Sequence, residues 1–220
     1  AIKGGRLAAV ASPARVVTLA ISDVPGDDPS VIGSGPTVAD PSTLADARAV
    51  LAKWSIDPPT AVARRLADPA AETPKPGDPI FETCTYNLVA RPGESLAAAA
   101  RAAEAAGATP VILGDALEGE AREVGRTHAA LARAIRDGRH AVRPPAVILS
   151  GGELTVTIAG DGKGGPNREY SLALALALGE APGIHGLAAD TDGVDGADDT
   201  AGALVDSTTL ARAAAAGANP

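Results

Sequence analysis

The sequence contains no methionine and a single cysteine, Cys84, and only 2% of its 220 residues are aromatic. A lone cysteine excludes an internal disulfide and a zinc site built from paired thiolates, and it predicts a reducing compartment, the cytoplasm. The shortage of aromatic rings leaves Ala, Val, Leu and Ile to fill the core. It also removes most of the stacking surfaces that bind single-stranded nucleic acid. With no methionine even at position 1, the chain is expected to be an internal piece of a longer protein.

The net charge and the hydrophobic pattern make nucleic acids and membranes unexpected as binding partners. Lysine and arginine number 19 against 27 aspartates and glutamates, which gives a net charge of −8. Nucleic acids and anionic membranes are therefore repelled on average, and we expect neither as a partner. No apolar run approaches the roughly 18 residues that span a bilayer.

Short apolar runs alternate with helical patterns along most of the chain. Strands are predicted at 14–21, 85–90, 109–113 and 146–150, and helices at 42–54, 58–67, 94–106 and 119–137. This alternation predicts an α/β protein with largely parallel or mixed sheets. The continuous run 14–21 is expected to be buried on both faces. A stretch rich in Pro and Gly, 68–79, is the best candidate for a domain boundary.

The segment 146–178 carries the densest chemical signal. Gly151 and Gly152 are predicted to form a hairpin turn, so that 153–158 would run back antiparallel. The glycines around Lys163 then precede a helix that begins near Asn167, and backbone N–H groups there can bind an anion. A flexible glycine turn is the alternative. Gly160, Gly162 and Gly165 also match the dinucleotide fingerprint, but the expected antiparallel strand argues against it.

Aspartates cluster after two apolar runs, 184–189 and 14–21. Asp190, Asp192, Asp195, Asp198 and Asp199 lie within ten positions, and oxygen ligands at this density suit Mg²⁺ or Ca²⁺. A solvated acidic loop is the alternative.

A second, smaller set follows the strand at 14–21. Asp23, Asp27 and Asp28 could hold a metal or accept a proton, although Asp is also a common turn residue. Near the start of the chain, Lys3, Gly4, Gly5 and Arg6 could form a further anion-binding turn.

Six ordered motifs, IKGGRLA (2–8), the segment 22–43, LGDALEGEAREVG (113–125), SGGE (150–153), GKGGPNRE (162–169) and DTDGVDG (190–196), resemble the type II glycerate kinase family. Its members are also called glycerate 2-kinases or hydroxypyruvate reductases, and they carry a C-terminal MOFRL domain. The resemblance implies three α/β/α layers and two domains, the first only partly present. Residues 1–80 would be the rest of the N-terminal domain and a linker, and 81–220 the MOFRL-type domain. Family members are about twice this long, so this stretch alone is expected to be inactive.

The resemblance also implies ATP- and Mg²⁺-dependent phosphorylation of D-glycerate, with a homodimer as a further expectation. Asp23 and Asp27 would face the same cleft as the later motifs, from the other domain. Many relatives have an arginine where this chain has Pro166, and Arg168 would then supply the cation. The implied sites are listed by role: catalytic Asp192, Arg168 and Lys3; substrate- or phosphate-binding Gly151, Gly152, Glu153, Lys163, Gly164, Gly165, Asn167 and Ser34; metal-binding Asp23, Asp27, Asp192 and Asp195.

Two other functions stay open at this point. An NAD(P)H-dependent hydroxypyruvate reductase is suggested by the glycine pattern and by the family's second name. A non-catalytic module that binds a small anion is the third possibility.

Overall fold

The computed structural model describes residues 2–197 and 199–218, and it divides into two compact units, 1–91 and 92–220. The division falls after the Pro- and Gly-rich stretch 68–79, because the strand that follows this stretch pairs inside the first unit. The assignment of 1–80 and 81–220 to the two family domains stays a prediction.

The first unit is built on two parallel strands, β1 (Val16–Ile21) and β2 (Cys84–Ala90). Its helices are α1 (Arg6–Ala11), α2 (Leu44–Lys53) and α3 (Thr60–Ala67). Short 3₁₀ turns lie at Ile32–Ser34, Pro69–Ala71 and Pro79–Phe81. A helix begins at Leu44 because Thr43 and Asp46 form a reciprocal capping box, in which the Thr43 N–H donates to Asp46 Oδ2 at 2.8 Å.

Strand β1 is covered on one face only. Val17, Leu19 and Ile21 are 53%, 69% and 71% exposed, while the residues between them are half-buried. The prediction that this run is buried on both faces is therefore wrong for the described part of the chain. The reason is that, within residues 2–91, β1 pairs with β2 alone and nothing covers its second face.

The second unit holds a parallel and an antiparallel pair of strands. Parallel strands β3 (Thr109–Glu120) and β4 (Ala146–Thr155) are followed by antiparallel β5 (Gly186–Ala189) and β6 (Gly202–Val205). The helices are α4 (Pro92–Ala105), α5 (Ala121–Arg136), α6 (Pro166–Leu178) and α7 (Thr209–Ala215). The predicted α/β class with parallel and mixed pairing is confirmed. The three-layer arrangement stays a prediction.

The predicted hairpin at Gly151–Gly152 is wrong. Strand β4 runs straight through both glycines and stays parallel to β3 as far as Thr155. Instead of forming a turn, Gly152 allows β3 and β4 to approach each other closely. A Cβ atom on Gly152 would lie 2.1 Å from the Leu117 carbonyl oxygen. Strand β3 also bulges between Ile112 and Leu117, where the pairing register shifts.

The main core of the second unit lies where α6 packs on α5 and on the β5–β6 pair. Its buried side chains are Ala129, Leu174, Ala175, Leu178, Ala181 and Val205. One polar pair accompanies them: His128 Nδ1 and the Tyr170 hydroxyl are 3.0 Å apart, and the two rings meet edge to face. Burial lowers the pKa of His128 and raises the pKa of Tyr170 to about 12. Among the described residues, no helix has both the length and the hydropathy that a membrane span requires.

Helices α5 and α6 are in close contact at Gly125. Alanine in place of glycine inside a helix normally gains about 1 kcal/mol. Here a Cβ atom would lie 2.6 Å from the Tyr170 carbonyl oxygen and 3.2 Å from Leu174 N. We expect the steric clash to outweigh the gain in helix propensity, so that Gly125→Ala lowers the free energy of unfolding in urea by about 1–3 kcal/mol.

The control for this substitution is Gly160→Ala, because no atom lies within 4 Å of a Cβ there. It should change the free energy of unfolding by less than about 0.5 kcal/mol. A Gly125→Ala protein as stable as the wild type would contradict the close packing of the two helices.

The buried histidine predicts a loss of stability in mild acid. His128 in the unfolded chain takes up a proton near pH 6.5, whereas the folded protein does so only at lower pH. The unfolded state therefore binds more protons below pH 6.5, and the free energy of unfolding should fall as the pH drops from 7.5 to 5.5. His128→Gln should reduce this decrease in urea titrations, whereas the exposed His185→Gln should leave it in place; equal slopes in the two variants would refute the assignment.

Candidate functional site

A buried carboxylate joins two of the predicted motifs. The side chain of Asp195 is fully buried at the amino end of α6. Its oxygens accept hydrogen bonds from the backbone N–H groups of Gly165 (3.2 Å), Asn167 (2.9 Å) and Arg168 (2.9 Å). The Asn167 side-chain amide (3.3 Å) and Arg168 Nε (3.4 Å) complete the set. The glycine-rich loop 160–165 and the aspartate loop 190–197 therefore meet, although about 30 positions separate them.

Glycines allow this close approach. A Cβ atom on Gly165 would lie 2.4 Å from Asp195 Oδ1, and one on Gly196 would lie 2.3 Å from the Gly164 carbonyl oxygen. Gly196 also has a φ of +73°, which side-chain-bearing residues rarely adopt. The glycine spacing of both motifs thus serves the junction between the two loops.

A third motif reaches the same helix through an ion-pair network. Arg122 Nε lies 2.9 Å from Glu169 Oε1 on α6 and 3.5 Å from Glu120 Oε1. Glu120 accepts hydrogen bonds from the N–H (3.0 Å) and hydroxyl (2.9 Å) of Thr157, and these bonds lower the pKa of its carboxyl group. The sequence predicts no site role for Glu120 or Arg122. Only the fold shows that the 113–125 motif connects to α6.

Asp161, Lys163 and Asp192 are exposed charged residues of the two loops. Asp192 Oδ1 accepts the Val194 N–H at 2.8 Å, and the Asp192 N–H donates to Asp190 Oδ1 at 3.3 Å. In residues 2–197 and 199–218, no group of three His, Cys, Asp or Glu side chains is arranged to hold a metal ion. The metal roles of Asp192 and Asp195 stay predictions. Asp198 lies outside the described residues.

The SGGE motif (150–153) lies inside strand β4, where it pairs with β3. The nearest neighbours of Gly151 and Gly152 are Asp115 and Leu117 of β3, and Glu153 is exposed in β4 opposite Glu118. The binding roles of these three residues stay predictions.

Sequence reasoning also missed Asp115. Its carboxylate lies beside Gly93 at the amino end of α4, and a Cβ atom on Gly93 would be 2.7 Å from Asp115 Oδ2.

In the first unit, the structure brings together the segments of Lys3 and Ser34. The N–H of Gly4 donates to the Ser34 carbonyl (2.8 Å) and that of Gly5 to the Gly35 carbonyl (2.7 Å). Ser34 itself is exposed and has a φ of +61°, between two glycines that are also left-handed. Holding a side-chain-bearing residue in that conformation costs about 1–2 kcal/mol. The exposed Lys3 side chain stands at the edge of this paired turn.

The turn after β1 carries the remaining predicted metal ligands. Asp23 is exposed, and Asp27 has a φ of +55° with one carboxylate oxygen buried without a hydrogen-bond partner. Asp28 Oδ1 accepts the N–H and hydroxyl of Ser30, both at 2.8 Å, and these bonds lower the pKa of its carboxyl group. The predicted turn is thus observed, and the metal roles of Asp23 and Asp27 stay predictions.

Two protein families match separate parts of the chain: DUF4147, a domain of unknown function, matches residues 1–67, and the MOFRL family matches 146–220. An Agrobacterium vitis protein named "Putative hydroxypyruvate reductase" is 56% identical over 100% of this chain and 50% of its own length. The D-glycerate 2-kinase of Thermotoga maritima is 36% identical over 100% of this chain and 51% of its own length. The crystal structure of glycerate kinase from that organism superposes with a TM-score of 0.83, again over 100% of this chain and 51% of that one.

The chain is a homologue of the glycerate kinases. The resemblance read from the six motifs is thereby confirmed. The chain spans about half the length of the curated relatives it matches.

Substitutions at two glycines of the aspartate loop distinguish the cost of backbone strain from the cost of steric overlap. Both Gly193 (φ +90°) and Gly196 (φ +73°) are left-handed, but only Gly196 has neighbours within 4 Å of a Cβ. We expect Gly193→Ala to cost about 1–2 kcal/mol of unfolding free energy through backbone strain alone. Gly196→Ala should cost about 1–3 kcal/mol more, because it also separates the two loops. Equal losses in urea unfolding would show that the loops do not depend on this contact.

Proposed function

We propose that the complete protein phosphorylates D-glycerate on its 2-hydroxyl group with ATP, and that this chain supplies part of the site. The observation that carries the proposal is the junction at α6, where three of the family motifs meet around Asp195 and Glu169. The names of the relatives from Thermotoga maritima and Pyrococcus horikoshii, both glycerate 2-kinases, support the substrate and the reaction.

Phosphoryl transfer requires positioned charges more than covalent chemistry. Lys163 is exposed beside the glycines of its loop, whereas Arg168 Nε faces the Asp195 carboxylate at 3.4 Å. The charge of Arg168 is therefore partly balanced inside the protein, and Lys163 is the cation presented to solvent. With Pro166 at the start of α6, these two residues take over the role of the family's arginine in our proposal.

Asp192 fits a magnesium ion better than Asp195 does. Mg²⁺ in kinase sites is commonly held by one or two carboxylates together with phosphate oxygens and water, and it neutralises phosphate charge. Among the described residues, the exposed carboxylate of Asp192 accepts one hydrogen bond, at Oδ1, whereas the buried carboxylate of Asp195 accepts five. Asp192 would accordingly hold the metal or accept the proton of the substrate hydroxyl.

A hydroxypyruvate reductase is the second candidate, because the 56% identical relative carries that name. An antiparallel strand before the glycines would disfavour a dinucleotide site, but β4 runs parallel to β3. Another observation disfavours such a site. The fingerprint places pyrophosphate on the amino end of the helix, and here the Asp195 carboxylate occupies that end. We therefore favour the kinase.

Glycerate and a nucleotide are the proposed ligands, and the cytoplasm is the proposed location. Neither nucleic acid nor membrane is proposed as a partner, in line with the net charge of −8. A homodimer is proposed as the assembled form.

The test of the function compares two reactions of the complete protein. With ATP, Mg²⁺ and D-glycerate, we expect ADP formation and a phosphorus NMR spectrum of 2-phosphoglycerate. With hydroxypyruvate and NADH, we expect no loss of absorbance at about 340 nm. Oxidation of NADH without ADP formation would reverse the assignment.

Asp192 gives the sharpest prediction from a single substitution. In the complete protein, Asp192→Asn should lower kcat by at least about 100-fold, because a positioned charge is lost where charge develops. Asp57→Asn removes an equally exposed carboxylate in the first unit and should leave kcat within about twofold. A kcat for Asp192→Asn within threefold of the wild type would remove Asp192 from the mechanism.

A further inference from the structure

We infer that Asp195 is a positioning residue that fills the amino end of α6 as an internal anion. It is then not a metal ligand, and the phosphate of a substrate binds outside it, beside Lys163 and Gly164. The first part of this inference, the role of Asp195 as an internal anion, rests on hydrogen bonds within the protein. The second part, the position of the phosphate beside Lys163 and Gly164, rests on the proposed kinase function.

The amino end of a helix offers N–H groups that have no partner within the helix, together with a partial positive charge. An external phosphate commonly takes these groups. In this protein the N–H groups of Gly165, Asn167 and Arg168 all donate to Asp195. The donors that sequence analysis assigned to a phosphate at Gly165 and Asn167 are thus already engaged.

The carboxylate has no capacity left for a second ligand. Oδ1 accepts two hydrogen bonds from Asn167, and Oδ2 accepts three, from Gly165 N and from N and Nε of Arg168. A carboxylate has about four lone-pair positions, so the described bonds use all of them. Its side chain is 0% exposed, so a hydrated cation would have to break these bonds to reach it.

Burial of this charge is tolerated because it is compensated. An unpaired buried carboxylate is very costly, whereas one that accepts several N–H bonds and faces a guanidinium is stable. Arg168 lies 3.4 Å away through Nε and is itself 26% exposed. Removal of Asp195 would therefore leave three backbone N–H groups at the start of the helix without their acceptor, and it would take away one contact of the Arg168 side chain.

The same arginine indicates where an external anion binds. A Cβ atom on Gly164 would lie 3.4 Å from Arg168 Nε and 3.6 Å from Cζ, so the guanidinium lies alongside Gly164. Lys163, the preceding residue, is exposed. Because Asp195 holds both the Arg168 backbone and its Nε, it sets the position of this cationic edge without touching the substrate.

Amide hydrogen exchange on the complete protein tests the first part without any substrate. The amides of Gly165, Asn167 and Arg168 have no acceptor within the helix, so their protection reports on Asp195 alone. We expect them to be protected in the wild type. Asp195→Ala should accelerate their exchange at least about tenfold while residues 172–178 keep their protection.

The matched control is Asp192→Asn, which removes an exposed carboxylate from the same loop and should leave these amides protected. Unprotected amides in the wild type, or equal acceleration by both variants, would overturn the inference. Should Asp195→Ala fail to fold, the wild type decides the matter with Mg²⁺ alone. Exchange at the three amides should be unchanged by the ion, and acceleration would identify Asp195 as a metal ligand.

Kinetics of the complete protein test the second part. Asp195→Asn and Lys163→Ala should each raise the KM for ATP at least about tenfold, with the Mg²⁺ concentration for half-maximal rate unchanged. An increased Mg²⁺ requirement in Asp195→Asn would refute the positioning role. An unchanged KM in Lys163→Ala would refute the phosphate position. A protein without kinase activity would refute the proposed function, and the exchange experiment would still decide the role of Asp195.

Discussion

The arrangement of the candidate site depends on the contact between the Asp195 carboxylate and the amino end of α6. A buried charge is stable only where every lone pair has a donor, and the first turn of a helix supplies such donors in a fixed arrangement. Three backbone N–H groups, one side-chain amide and one guanidinium converge on this side chain. The position of the aspartate loop relative to α6 follows from that requirement.

Glycine makes this contact geometrically accessible. Gly165 and Gly196 lie where a Cβ atom would overlap the opposite loop, and Gly125 lies where α5 touches α6. Gly152 has the same role between β3 and β4, against Leu117. The motifs that resemble phosphate-binding loops in sequence are thus also packing motifs. A glycine-rich pattern alone does not distinguish the two uses, because close backbone approach and anion binding both require the absence of a side chain.

Strand β1 of the first unit exposes an apolar face. Val17, Leu19 and Ile21 alternate with half-buried residues, as in a strand that is covered on one side. The chain spans about half the length of its curated relatives. Within the described residues, β1 has one neighbouring strand, β2.

Local signals in the sequence determined the α/β class, the positions of most strands and helices, and the family. Capping at Thr43, the apolar run at 146–150 and the proline before Asn167 act over a few residues, so they can be read without the fold. The tertiary structure alone decided that β4 continues through Gly151 and Gly152, and that Asp195 faces α6 instead of solvent. Both outcomes depend on partners distant in sequence, Leu117 in one case and Arg168 in the other. A glycine or an aspartate has the same local preferences in a turn and in a buried contact, and only the opposing backbone determines which one forms.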